Sequence, residues 1–78
     1  MSYITIRSVR DSKLLVVFTP RDGSANLNHL PDHVRNLSPW QVIRRGDETR
    51  LRPHYRLMLA EQMFALIYSP VAGFTPEV

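Results

Sequence analysis

Pro53-His54-Tyr55-Arg56-Leu57-Met58-Leu59-Ala60-Glu61-Gln62-Met63-Phe64-Ala65-Leu66-Ile67-Tyr68 is the stretch on which the fold turns, because it reads in two ways. Taken whole, it is a helix over about 53–68. Pro53 suits a first helical turn, Pro70 closes the far end, and no breaker lies between. Leu, Met, Ala, Glu and Gln are good helix formers. At 100° per residue His54, Met58, Glu61, Gln62 and Ala65 share one side, while Tyr55, Leu57, Leu59, Ala60, Met63, Phe64, Leu66, Ile67 and Tyr68 spread over the rest. So wide an apolar arc exceeds what one small core can cover. The competing reading ends the helix near Gln62 and makes the apolar run 63–68 a strand, since short apolar runs fit either element.

Just upstream the charge is unevenly placed. Lys and Arg total 10 and Asp and Glu 7, a formal net charge of +3. Residues 40–56 contain Arg44, Arg45, Arg50, Arg52 and Arg56 against Asp47 and Glu48, and the rest of the chain sums to zero. The whole excess therefore sits in this stretch. Arginine donates to phosphate or carboxylate in a bidentate fork. These five are the candidate contacts to a partner or a nucleic acid.

Residues 38–46 also support two readings. Ser38-Pro39-Trp40-Gln41 has a capping-box pattern for a short helix at 39–45, with Gly46 at its end. Against this helix, which is the first reading, Trp40-Gln41-Val42-Ile43 is compatible with a third strand, and Gly46-Asp47 with a turn.

Toward the N-terminus the pattern is that of a β-hairpin, with strands at about 3–9 and 13–19. Tyr3-Ile4-Thr5-Ile6-Arg7 alternates with period two, and Leu14-Leu15-Val16-Val17-Phe18 is an unbroken β-rich run, which predicts a strand covered on both faces. Asp11-Ser12 supplies the turn. A second turn is expected over 20–24 and a single helical turn over 32–36, after Pro31. The predicted fold class is α+β, with Ile4, Ile6, Leu14, Val16, Phe18, Trp40, Val42, Leu57, Ala60, Phe64 and Ile67 as core. The expected organisation is one small domain over 1–78 with a loose C-terminal tail from about 70.

A chain of 78 residues buries only about 60% of its unfolded surface, so a second copy is a natural source of further stability. With no cysteine, disulfides and thiolate zinc sites are excluded, and a reducing, cytoplasmic setting is the default expectation. No apolar run approaches the roughly 18 residues of a membrane span. His29, Asp32 and His33 lie close in sequence, but Pro31 interrupts the helical turn that an i, i+4 metal pair needs. No nucleophile elbow, glycine-rich phosphate loop or RNA-recognition aromatic pattern is present. Neither catalysis nor a cofactor or metal is expected.

The functional expectation is a small non-enzymatic protein-interaction or accessory module. It resembles, in size and basicity only, the short accessory proteins of bacterial and phage genomes. A homo-oligomer formed through the apolar helix is expected, with Trp40, Tyr55, Met63, Phe64 and Tyr68 as interface anchors. The arginines would steer an acidic protein partner. The alternative is a nucleic-acid-binding regulator using the arginine cluster, on a loose likeness of 40–45 and 53–68 to a helix-turn-helix.

Overall fold

A computed structural model describes residues 2–20, 27–71 and 74–78. Strands dominate it. β1 (Ser2–Ser8), β2 (Leu14–Phe18), β3 (Trp40–Asp47) and β4 (Phe64–Tyr68) form one antiparallel sheet in the order β3-β1-β2-β4. One turn of helix, α1 (Asp32–Arg35), precedes β3, and α2 (Pro53–Gln62) joins β3 to β4. Short 3-10 turns occupy Leu27–His29 and Glu48–Arg50. The class is mixed α+β. The turn expected over 20–24 lies, from residue 21 on, outside the described residues, as do residues 72 and 73 of the expected tail.

β1 and β2 are the middle of the sheet, and their sequences suit that position. Ile4 pairs with Phe18 and Ile6 with Val16, so these four share the back face, where Leu30 and Val34 cover them. Tyr3, Leu15 and Val17 point to the front face and pack with Leu51, Leu59, Ala65 and Ile67. Each such aliphatic side chain contributes about 1.5–3 kcal/mol on leaving water. Burial on both faces explains the unbroken apolar run in β2. At the hairpin turn the Ser8 hydroxyl accepts from the backbone N–H of Arg10 and Asp11, and the Asp11 carboxylate accepts from that of Lys13.

The helix expected over 53–68 is corrected by the structure, which follows the competing reading. α2 stops at Gln62, Met63 turns into a left-handed conformation (φ 69°), and the N–H of Met63 still reaches the carbonyl of Leu59. The physical reason is span. The chain leaves β3 at one edge of the sheet and must start β4 at the other, three strand spacings of about 4.8 Å away. Ten helical residues at 1.5 Å cover about 15 Å, which matches. A helix continued to Tyr68 would overshoot the sheet, whereas an extended 64–68 buries Ala65 and Ile67 against β2 by simple alternation.

The short helix expected at 39–45 is also corrected, because these residues pair along β1 as a strand. The Ser38 hydroxyl that would have capped that helix bonds instead to the Ser8 hydroxyl at 2.5 Å.

The expected core changes accordingly. Ile4, Ile6, Val16, Phe18 and Ile67 are buried, Leu14, Trp40 and Phe64 are half-buried, and Val42, Leu57 and Ala60 are exposed. The buried residues that expectation lacked include Tyr3, Leu15, Val17, Leu30, Val34, Leu51 and Leu59. Residues 74–78 run beside the segment before α2. Glu77 bridges Leu51, and the carbonyls of Pro76 and Arg50 accept from the N–H of Arg52 and Val78. Among the described residues no helix is long and apolar enough to cross a membrane.

Candidate interaction surface

The two outer strands present different chemistry. β3 carries Arg44 and Arg45 and is irregular. Thr5 pairs with Arg44 while Ile6 pairs with Val42, so Ile43 is one residue too many. Such a bulge bends the strand and re-aims its side chains. Just past it Tyr3 pairs with Gly46, and the buried tyrosine ring lies over that glycine. A Cβ on Gly46 would stand 2.9 Å from the ring's Cε1 and hydroxyl oxygen, so the close approach requires glycine here.

Tyr3 anchors a small network at this corner. Its hydroxyl donates to Glu77 Oε1, and Arg44 Nη1 donates to the same oxygen at 3.0 Å. The Tyr3 bond, and then Arg44, hold the Glu77 carboxyl below its ordinary range. Burial, and then the bond to Glu77, push the Tyr3 hydroxyl up to about 12. Asp47 caps the following turn by accepting from the Thr49 N–H at 2.9 Å, which lowers its own pKa.

The five expected arginines divide into three groups. Arg44, Arg45 and Arg50 line one open depression of about 490 Å³ with Tyr3, Asp47 and Glu77. Arg52 instead stacks over the Phe74 ring, 5.6 Å from its centroid. Arg56 lies on α2 and lines a separate hollow with Thr19 and Glu48. The helix-turn-helix likeness is therefore overturned, because its first helix is a strand and its arginines do not share a face. Within the corner, three arginines against Asp47 and Glu77 leave one positive charge in excess. A shallow cleft of about 290 Å³ continues along the front face past Thr5, Arg7, Ile43 and Phe74. The buried Thr5 Oγ1 has no hydrogen-bond partner among the described residues.

The expected anchors are likewise dispersed. Trp40 is half-buried on the back face and donates its indole N–H to the Arg35 carbonyl at 3.1 Å. Tyr55 packs edge-on against Phe74 at the front. Met63, Phe64 and Tyr68 do fall together, along β4 and the residue before it. A homo-oligomer built on one broad helical face loses its basis, since that face is divided between α2 and β4.

Tyr3 and Glu77 were absent from the expected site. They are 74 residues apart, and no local pattern links them. Among the described residues no group of three His, Cys, Asp or Glu side chains could hold a metal. No protein-family model, curated protein or solved structure matches this chain.

Proposed function

We propose that this chain is a non-enzymatic interaction module that receives an acidic segment of a partner protein at the β3 corner. The observation that carries this reading is that Arg44 and Arg50 flank one depression together with Asp47 and Glu77, with Arg45 bordering it from the next position of β3. Glu77 already engages Arg44, which leaves Arg50 as the guanidinium beside the corner to grip a carboxylate, while Arg45, paired with Ile4, borders the depression from the next position of β3. A corner with one excess charge suits a few carboxylates better than a phosphate backbone. Neutralising many phosphates needs a longer run of free cations.

The test is fluorescence anisotropy of the full chain with two labelled probes, an alternating Glu-Leu decapeptide and a duplex DNA of mixed sequence, at low and physiological salt. The expected outcome is saturable binding of the peptide at both salt concentrations, weakened at least about tenfold by the double substitution Arg45→Glu, Arg50→Glu, on the scale of a lost charge-assisted contact of about 1.4–3 kcal/mol. Tight DNA binding that weakens steeply with salt, with no peptide binding, would replace this reading with the nucleic-acid one.

A further inference from the structure

The opposite edge of the sheet carries no such side chains, and among the described residues no strand lies beyond β4. Its backbone directions follow from two bonds. The Thr19 N–H donates to the Met63 carbonyl, and the Ser69 N–H donates to the Lys13 carbonyl. Bonded pairs in an antiparallel ladder recur at every second residue. Ala65 and Ile67 therefore turn their N–H and C=O groups toward β2, and Phe64, Leu66 and Tyr68 turn theirs outward. The Gln62 side-chain amide, which donates to the Phe64 carbonyl at 2.9 Å, lies where this alternation requires.

Phe64-Ala65-Leu66-Ile67-Tyr68 is also nearly symmetric about Leu66, with an aromatic residue two positions away on each side. Placed beside a second copy with a two-fold axis through Leu66, it opposes Leu66 to Leu66, Phe64 to Tyr68 and Ala65 to Ile67. Every outward N–H then meets an outward C=O. On the back face Leu66 is 41% exposed and Tyr68 62%, so the pairing covers apolar surface as well as polar backbone. No residue from Met63 to Pro70 is charged, so nothing repels across the axis. The same operation at β3 would set Arg44 and Arg45 close to their own copies beside a bulge. Pairing β3 with a copy's β4 would repeat head to tail and give a ring or an open filament, not a two-fold pair.

We infer that two copies of this chain join through β4, antiparallel and centred on Leu66, making one continuous eight-stranded sheet. This interface is separate from the β3 corner and does not rest on the function proposed there. A five-residue strand pair is small beside the roughly 1,600 Å² of a standard stable interface, so the dimer is a weak one.

Sedimentation equilibrium of the full chain, read together with amide hydrogen exchange by NMR, tests it. The mass is expected to rise from one chain toward two between about 10 and 500 µM, the range of a weak interface. Over that range the Leu66 and Tyr68 amides gain at least about tenfold protection, while those of Ala65 and Ile67 are protected throughout. Leu66→Lys opposes two charges on the axis and is expected to hold the mass at one chain with Ala65 and Ile67 still protected. Where that variant fails to fold, the exchange pattern of the unaltered chain decides alone. A monomer at 500 µM with Leu66 and Tyr68 unprotected, or a Leu66→Lys chain that dimerises as before, overturns the inference.

Discussion

β3 and β4 are both outer strands of the same sheet, yet they solve the problem of an open edge in opposite ways. An outer strand exposes a row of unpaired N–H and C=O groups, which templates pairing with another chain unless something obstructs it. β3 obstructs it three times over, with the extra residue Ile43, with Arg44 and Arg45, and with the strap that brings Glu77 against Arg44. Among the described residues β4 has only the Gln62 amide at one end. The difference follows from what each strand must do on its inner side. β3 lies against β1 where Tyr3 has to fit over Gly46 and Arg44 has to reach Glu77. β4 needs only to bury Ala65 and Ile67, and any alternating apolar strand does so.

Breaking the β3 solution has the largest expected effect at Gly46→Ala. The added methyl meets a ring that is fully buried and held by Glu77, so ring or strand must move. Overpacking of this kind costs about 1–3 kcal/mol. Urea unfolding followed by the fluorescence of Trp40 is expected to show a lower midpoint with an unchanged slope.

Tyr3→Phe comes next. It keeps the packing over Gly46 and removes only the donor to Glu77, so it is expected to cost about 1–2 kcal/mol. It should also change the pH dependence. Because the Glu77 pKa is lowered in the fold, its contribution is present above the ordinary carboxylate value and is lost as pH falls through the folded pKa. Because the Tyr3 pKa is raised, its contribution is present below about 10 and is lost as pH rises through about 12. The unaltered chain should therefore loosen its C-terminal strap in acid. Tyr3→Phe should show a smaller stability change there and none from this group in alkali. Thermal unfolding at a series of pH values measures both.

The smallest effect on stability, and the sharpest on the comparison, is expected from deleting Ile43. Thr5–Arg44, Ile6–Val42, Arg7–Gln41 and Ser8–Trp40 would then pair without interruption. The variant should fold, with a midpoint within about 1 kcal/mol of the parent, since the side chain removed is partly exposed. With Arg44, Arg45 and the strap still in place, the deletion variant carrying Leu66→Lys should remain one chain by sedimentation, and self-association there would show that the bulge alone keeps β3 unpaired.

How much of this was legible depends on whether the deciding contact is local. Tyr3-Ile4-Thr5-Ile6-Arg7 carries its strand in its own alternation, and Leu14–Phe18 shows burial on both faces by its unbroken apolar run. The 53–68 stretch carries helix formers throughout, with no glycine where Met63 turns left-handed, so the reason for the break lies in the width of the sheet. Ser38 reads as a cap only until Ser8, thirty positions earlier, is brought beside it. The arginine cluster was visible as local charge. Its division was not, because Phe74 draws away Arg52 and Glu77 engages Arg44, both from the far end of the chain.

The strand order also sets a folding sequence. β1 and β2 are neighbours along the chain, and a hairpin closes in about 1–10 µs. β3 must return to β1 across about twenty residues that separate it from β2, and β4 must return to β2 across about twice that number. A doubling of loop length adds about 0.6 kcal/mol to closure, so β4 is the last strand the chain entropy favours. During synthesis the outer side of β2, with its uncharged Leu14–Phe18 run, stays open until Tyr68 has left the ribosome.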